Sequence, residues 1–227
     1  MKKRYNIFNQ IHKGLRAMLF DAAMFLQHAD YTNAEETEKA LEKVEIVLAV
    51  FENHASHEDS YVLPAVNRYY KHIVAEFENE HETDEMLAHR LRNLMVVYSY
   101  AVSGDARQEA GEAIYKAFNE FIAFNLYHMN KEEDKLNKAM WEKYTDEEII
   151  EIQKTIVQNV SEHMRIIEST WMMRGISDPE IVKWLTGVKN SAPDFIFQGL
   201  LKLAEKELSV KRWLNVREAL TEGAMVA

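Results

Sequence analysis

The sequence predicts an all-α protein: an antiparallel, up-and-down four-helix bundle followed by a C-terminal helical extension. Three observations support this fold. Only 7 of the 227 residues are glycine and 3 are proline, so the chain encodes few turns or strand boundaries. Hydrophobic residues make up 47% of the chain, which at this length is enough for a substantial core. They recur at intervals of three and four residues, the spacing of one buried helical face.

Four long helices follow from this spacing. The breaks between and after them fall near 30–33, 70–71, 103–105 and 144–148. Residues 1–144 are predicted to form the bundle. Residues 145–227 begin with a capping box made by Thr145 and Glu148, and we expect three or four shorter helices packed on the bundle.

Composition excludes several classes of function. The formal net charge of -10 argues against nucleic acid or an anionic membrane surface as a partner, because both need a concentrated basic face. The absence of cysteine excludes disulfides and thiolate-held metals, which leaves imidazole and carboxylate as the strong ligands. No apolar run reaches the length of a signal peptide core or a membrane span, so we expect a soluble, cytoplasmic protein.

Polar side chains interrupt the apolar face of each long helix without changing its phase. In chain order they are His12; His54 and Glu58; His81; and His128 and Glu132. A His and a Glu four residues apart lie one turn apart on the same face of a helix. Each long helix is therefore predicted to direct toward the core at least one His or Glu side chain, which are types that can bind a metal.

The His-x-x-x-Glu spacing alone is not selective, because it occurs four times. His72 lies nine residues before His81, which at about 100° per residue places it on the opposite face. We therefore expect His72 and Glu76 to face solvent. His81 is followed at the same spacing by Glu85, but Glu85 adjoins Asp84, and helical phase does not decide which of these two acids faces inward.

A metal site follows from the position of these residues along the helices. Helices joined by short turns run antiparallel, and each candidate histidine lies a similar number of residues from the turn it shares with its neighbour. The side chains are therefore expected in one layer within roughly 6 Å. Burying them without a counter-ion would cost about several kcal/mol each, and no Lys or Arg lies on the inward faces. A bound metal removes this cost. The predicted ligands are His12, His54, Glu58, His81, His128 and Glu132.

The same residues resemble the hemerythrin-like family of HHE cation-binding proteins. The stretch HASHEDSYVLP, residues 54–64, is similar to the family pattern H-x3-E-E-x2-L-F-P, with Asp59 in place of the second Glu. The pair EH follows at residues 80 and 81, and HMNKEEDKL, starting at His128, gives a second H-x3-E-E block that lacks the usual Phe-Pro. The resemblance extends over about residues 5 to 144.

This resemblance implies a non-haem pair of iron ions with a bridging oxo or hydroxo group. Glu58 and Glu132 would bridge the irons, and the four histidines would be terminal ligands. The ligand of the iron pair would be dioxygen or another small diatomic molecule such as nitric oxide. Oxygen-carrying hemerythrins have a second His one turn beyond the third-helix His, so one ligand position is open in this chain. Its candidates are Glu85, Asp84, His89, Glu133, His163 or a water molecule.

Other functions remain open from the sequence. A ferritin-like carboxylate site needs two Glu-x-x-His pairs, and only Glu78 with His81 is available. Besides binding or sensing a diatomic ligand or the redox and iron state, a di-iron protein could reduce peroxide or donate iron for iron–sulfur cluster repair. An enzyme needs an inward acid or base, for which Tyr61, Tyr127 and Glu85 are the candidates; no catalytic residue is predicted.

The extension carries three of the four tryptophans, Trp171, Trp184 and Trp213. We expect these aromatic side chains to pack the extra helices. A surface for a protein partner or a second copy of the chain is the other possibility.

Overall fold

The computed structural model describes the backbone of residues 4–225 and the side chains of residues 4–221. All regular structure in this part of the chain is helical, with no strand, so the predicted all-α class is confirmed. None of its helices is both long enough and apolar enough to cross a membrane. The helices up to residue 143 are α1 (Asn9–His28), α2 (Ala34–His57), α3 (Leu63–Asn67), α4 (Lys71–Ser99), α5 (Gly104–Lys131) and α6 (Asn137–Lys143).

Five helices follow in the described part of the extension, where the sequence predicts three or four. They are α7 (Asp146–Asn159), α8 (Glu162–Gly175), α9 (Asp178–Ser191), α10 (Asp194–Glu207) and α11 (Val210–Met225). The count is higher because each of the breaks between them takes only two residues. Two-residue breaks without glycine leave little trace in the apolar spacing.

The helix starts lie where the sequence places them, because polar side chains there satisfy the first backbone N–H groups. Asn33 and Ser103 each accept hydrogen bonds from first-turn N–H groups, of α2 and α5 respectively. Thr145 and Glu148 form the predicted capping box at the start of α7. The main breaks in the bundle region therefore agree with the prediction.

Two of the long helices continue into π-helical turns that the sequence does not predict. The first turn is Glu58–Val62, directly after α2, and the second is Glu132–Leu136, directly after α5. A π turn accommodates one extra residue by forming i→i+5 hydrogen bonds, and such turns are frequent at functional sites. Each of these turns begins at the Glu of a His-x-x-x-Glu pair.

Backbone contacts group the described chain into two compact units. The first contains the residues up to Phe8 together with Met18–Val160, and the second contains Asn9–Ala17 together with the chain from Ser161 onward. The predicted boundary between bundle and extension after Tyr144 stays a prediction. The two compact units are instead divided after Val160 and within α1. Helix α1 is nevertheless continuous from Asn9 to His28.

The core of the first unit consists of side chains that the sequence places on inward faces. Each of the following is at most 3% exposed: Leu19, Val44, Leu48, Phe51, Phe77, Leu91, Ile114 and Phe121. At one end this core includes Ile149 of α7, which is fully buried. Arg4 holds α7 in place, because its guanidinium contacts the Asp146 carboxylate at 2.6 Å and donates to the Trp141 and Tyr144 carbonyls.

The second unit has its own apolar core. Its buried members are Met173, Ile176, Ile181, Leu185, Phe197, Ala204, Leu208 and Val216. Trp184 and Trp213 pack against this core, as the packing interpretation of the extension expects. Arg212 contacts the Asp178 carboxylate at 2.7 Å and donates to the Ile176 carbonyl, which ties α11 to the start of α9.

Residues Asn9–Ala17 belong to this second unit through a close approach of α1 and α8. A Cβ atom on Gly14 would lie 2.8 Å from the Met172 backbone nitrogen, and one on Gly175 would overlap the Lys13 carbonyl oxygen. Only hydrogen fits at either position.

We predict that Gly175→Ala destabilises the chain by at least about 1–3 kcal/mol, because the added methyl group meets backbone atoms that have no room to move. Gly187→Ala is the matched control, since a Cβ there meets nothing within 4 Å in the middle of α9. That change should stabilise by about 0.5–1 kcal/mol, the usual gain of Ala over Gly inside a helix. Urea unfolding followed by tryptophan fluorescence measures both. Equal effects of the two changes would contradict the close approach.

Glu180 connects α9 to the first turns of α1. Its Oε1 accepts from Lys13 Nζ at 2.6 Å and from Asn9 Nδ2 at 2.8 Å, while Oε2 accepts from the Ser177 backbone N–H at 2.9 Å. Burial favours a higher pKa, but the hydrogen bonds from Lys13, Asn9 and Ser177 outweigh it and lower the pKa of Glu180 to about 2.

This shift predicts an acid-dependent loss of stability in the second unit. A carboxyl group whose pKa is lower in the folded than in the unfolded state stabilises the fold above its ordinary pKa, 4.5 here. The stabilisation disappears as the pH falls from there toward about 2. Glu180→Gln, which keeps the capping interaction, should therefore lower stability at pH 7 and make it less dependent on pH in this window. Urea midpoints at pH 2–6 test this, with the exposed Glu205→Gln as control; parallel curves for wild type and Glu180→Gln would refute it.

Candidate metal centre

Four of the predicted ligand residues, all in the first unit, come together in one ligand group. Glu58, His81, His128 and Glu132 each offer a ligand atom, and these atoms lie within 4.8 Å of one another. His54, in the same unit, adjoins this group through Glu58. His12 belongs to the second unit and stays a predicted ligand.

Glu58 faces two imidazoles with its two oxygens. Its Oε1 lies 3.1 Å from His54 Nε2, and its Oε2 lies 3.5 Å from His81 Nε2. The Glu58 residue is only 2% exposed. His54 is one turn earlier on α2, so the predicted i, i+4 spacing brings the pair together, and the π turn starts at Glu58 itself.

Glu132 has the corresponding position after α5. Its Oε1 lies 3.1 Å from His128 Nε2 and 3.8 Å from His81 Nε2, and the residue is fully buried. His81 on α4 therefore points its Nε2 toward both carboxylates. The imidazole rings of His81 and His128 are 5.1 Å apart between centroids.

These residues fit a bound cation. His81 Nε2 is buried and has no hydrogen-bond partner among the described residues, and its distances of 3.5 and 3.8 Å to the two carboxylates are too long for hydrogen bonds. Buried polar atoms are normally paired, so this nitrogen needs an explanation. A metal ion supplies one, and imidazole nitrogen with carboxylate oxygen suits first-row divalent ions such as iron, zinc or manganese.

Neighbouring side chains hold the imidazoles in place. His81 Nδ1 contacts Asp59 Oδ1 at 2.7 Å, and His128 Nδ1 contacts Glu80 Oε2 at 2.8 Å. The His128 ring also stacks on Phe124, with 5.9 Å between centroids. These rings are therefore fixed on the side away from the shared carboxylates.

The carboxylates determine the charge of the imidazoles when no metal is bound. Burial alone would lower the pKa of His81, but Asp59, Glu132 and Glu58 outweigh it and raise that pKa to about 12. The same balance, with Glu132 as the main partner, raises the pKa of His128 to about 9. A metal ion must displace these protons to bind, because only the unprotonated nitrogen is a ligand.

The structure decides between the two acids on α4 that helical phase left open. Asp84 faces inward: it is 6% exposed, and its Oδ1 accepts from Asn125 Nδ2 at 2.6 Å. Glu85 faces outward, where its carboxylate lies 3.4 Å from His89 and both side chains are about two-thirds exposed. Neither acid belongs to a ligand group.

None of the five side chains considered for the open ligand position is part of the ligand group. Glu85, His89 and His163 are exposed, Glu133 is partly buried, and Asp84 bonds Asn125. The residues considered as an enzymatic acid or base also lie outside this group. Tyr127 is 76% exposed, and Tyr61 stacks against His57 at 6.2 Å.

Two other pairs considered from the sequence, His72 with Glu76 and Glu78 with His81, are not assembled as metal-binding pairs. His72 is exposed, and Glu76 pairs with Lys131 and Lys135, as expected for a solvent-facing turn. Glu78 is exposed and absent from the ligand group, so the Glu78–His81 pair required by a ferritin-like site is not assembled.

Sequence reasoning missed the outer carboxylates and their cation. Asp59 and Glu80 each adjoin a predicted ligand, which is a signal that could have identified them. The sequence predicts no Lys or Arg on the inward faces, and it did not identify the partly buried Lys131, which forms an ion pair with Glu80. Lys131 follows His128 by three residues, so it lies on nearly the same face of α5.

Comparison with known proteins agrees with this geometry. A family model described as the Hemerythrin HHE cation binding domain matches residues 3–140, which is more than half of the chain and contains all six predicted ligands. No curated protein and no solved structure shows a significant match. The chain belongs to the hemerythrin HHE cation-binding domain family.

Proposed function

We propose that the chain binds two iron ions through His12, His54, Glu58, His81, His128 and Glu132, and that it uses them to bind or sense dioxygen or nitric oxide. The observation that carries this proposal is the buried group of Glu58, His81, His128 and Glu132, whose ligand atoms lie within 4.8 Å of one another. Glu58 also faces His54 with its other oxygen. A carboxylate shared in this way between imidazoles on two sides fits two ions better than one.

The donor set supports the assignment of roles. His12 and His54 would hold one ion, and His81 and His128 the other. Glu58 fits a bridging role because its two oxygens face His54 and His81 respectively. Four imidazoles with two carboxylates make a nitrogen-rich set, which favours ligand binding over the carboxylate-rich sites that store iron. When bound, a ferrous pair would supply the open coordination position and the electrons needed for dioxygen or nitric oxide.

We also propose that the long helices form the antiparallel bundle expected from the sequence. Contacts of α4 with α5 and the π turn that follows it support this arrangement, because residue numbers rise along α4 as they fall along the other segment. The contacting pairs are Glu76 with Lys135, Glu80 with His128, Asp84 with Asn125, and Arg90 with Glu120.

A sensor or redox role is preferred to oxygen storage. A stable oxygen carrier needs imidazole-rich terminal ligation and a dry pocket, which protect the bound ligand from protons. The position one turn beyond His81 is Glu85, whose side chain is 66% exposed, and the proposed ligand set contains four imidazoles. The chain is thus one imidazole short of the oxygen-carrying pattern.

The ligand assignment predicts a loss of metal from specific variants. His54→Ala and His128→Ala should each reduce bound iron from two ions per chain to one or fewer, because each removes a buried nitrogen ligand. His72→Ala is the matched control, since His72 begins the same His-x-x-x-Glu spacing but is exposed. Metal analysis of protein reconstituted under anaerobic conditions gives the stoichiometry. Equal iron content in all three variants would refute the assignment.

The sensor proposal predicts how the reduced protein responds to air. Stopped-flow mixing of the diferrous protein with dioxygen should change the visible spectrum rapidly, and the original spectrum should not return under vacuum. A carrier behaves differently: its spectrum would persist for hours in air and would revert when oxygen is removed. That reversible result would refute the sensor role while leaving the metal assignment intact.

A further inference from the structure

Two carboxylates outside the ligand group contact His81 and His128 at Nδ1, on the ring edge away from Glu58 and Glu132. Asp59 Oδ1 lies 2.7 Å from His81 Nδ1, and Glu80 Oε2 lies 2.8 Å from His128 Nδ1. Both distances are those of charge-assisted hydrogen bonds. An ionised carboxylate can only accept, so Nδ1 of each ring donates, and Nε2 faces the ligand group, where it offers a lone pair once its own proton is displaced.

These contacts link three helical elements in series. Asp59 follows Glu58 in the first π turn and bonds His81 on α4, and Glu80 precedes His81 on α4 and bonds His128 on α5. Each outer carboxylate thus adjoins one candidate ligand in sequence and bonds another on the next element. The orientation of His128 therefore depends on the same helix turn that carries His81.

The π turn explains how consecutive residues contact the same ring. Glu58 approaches His81 at Nε2, and Asp59 bonds it at Nδ1. Consecutive side chains of an α-helix point about 100° apart, and the wider π turn reduces that angle. The one-residue bulge therefore places a candidate ligand and a supporting acid on opposite edges of His81.

We propose that Asp59 and Glu80 are positioning residues that set the metal affinity of the position held by His81 and His128, without binding the metal themselves. This inference rests on the proposed two-metal function. It adds that Asp59 and Glu80 affect the affinity of only one of the two proposed metal positions, because both contact the histidines assigned to that position. Rotation of either ring away from its carboxylate would turn Nε2 out of the ligand group.

The two carboxylates differ in how well they are shielded from water. Removal of such outer partners typically costs about 10–100-fold in metal affinity. The Asp59 side chain is 50% exposed, so water competes for its bond, whereas the Glu80 side chain is 19% exposed and is also paired with Lys131. We therefore expect the larger loss for Glu80 and a loss near about 10-fold for Asp59.

The test titrates metal-free protein with ferrous iron under argon against a competing chelator. Asp59→Ala and Glu80→Ala remove the acceptor, Asp59→Asn and Glu80→Gln keep an acceptor oxygen without the charge, and Asp59→Glu restores the acid found in the family pattern. Glu85→Ala is the matched control, because it removes a carboxylate that contacts an exposed His on the same helix.

We expect wild type and Glu85→Ala to bind two ions with the same affinities. Both alanine variants should bind one ion normally and the other about 10–100-fold more weakly. The Asn and Gln variants should fall between, and Asp59→Glu should recover most of the affinity. Nitrogen-15 spectra of the zinc-loaded protein provide a second readout, since His81 should keep its Nδ1 proton in wild type and lose this single tautomer in Asp59→Ala.

Three results would overturn the inference. Wild-type affinities in both alanine variants would remove any positioning role, and an equal loss of both ions would show general loosening of the fold instead. An unchanged His81 tautomer in zinc-loaded Asp59→Ala would show that the ring is fixed by other contacts. The proposed function fails separately if wild-type protein takes up no iron, and in that case the positioning role fails with it.

Discussion

Glu58 and Glu132 lose nearly all contact with water, and the free-energy cost of that burial must be balanced by positive charge. Ionised carboxylates are rarely buried unless they are paired or coordinate a metal. In this chain they face His81 and His128, whose raised pKa values let them supply that charge as imidazolium when no metal is present and leave it to a cation when one binds. Apolar side chains packed around this layer exclude water, so the buried carboxylates continue to need a positive charge beside them.

This requirement explains why the site could be recognised from sequence. A polar residue on an apolar stripe is noticeable, and helical periodicity is the most reliable local signal in a sequence. The phase of the four long helices directs the six predicted ligands inward and His72 outward; in the structure Glu58, His128 and Glu132 are buried and His72 is exposed. Phase failed between Asp84 and Glu85, because adjacent positions differ by only about 100° and both bordered the stripe.

Other features could not be read from periodicity. The π turns depend on which hydrogen bonds the backbone makes, and the apolar spacing around Val62 and Leu136 is compatible with a plain α-helix. The contacts of Asp59 and Glu80 depend on the separation of helices, which no single-helix pattern contains. The grouping of Asn9–Ala17 with the C-terminal helices depends on contacts between residues about 160 positions apart in the chain, such as Lys13 with Glu180.

The C-terminal helices also affect the predicted ligand nearest the N-terminus. His12 lies in the stretch of α1 that belongs to the second unit. Its sequence neighbour Lys13 is held by Glu180, and Gly14 packs against the backbone of α8. Residues well beyond the matched family region, which ends at residue 140, therefore fix the helix turn that carries this histidine.

The two π turns have a consequence for how relatives of this chain can diverge. Each turn contains one residue more than an α-helical turn would, and the buried side chains at its end, Val62 and Leu136, take their orientation from it. Substitutions inside either turn change one side chain, whereas deletion of a single residue would rotate everything beyond it by about a quarter of a turn. At the positions of these two pentapeptides other than Glu58, Asp59 and Glu132, length should therefore be under stronger selection than identity, and insertions or deletions should be confined to the loops between helices.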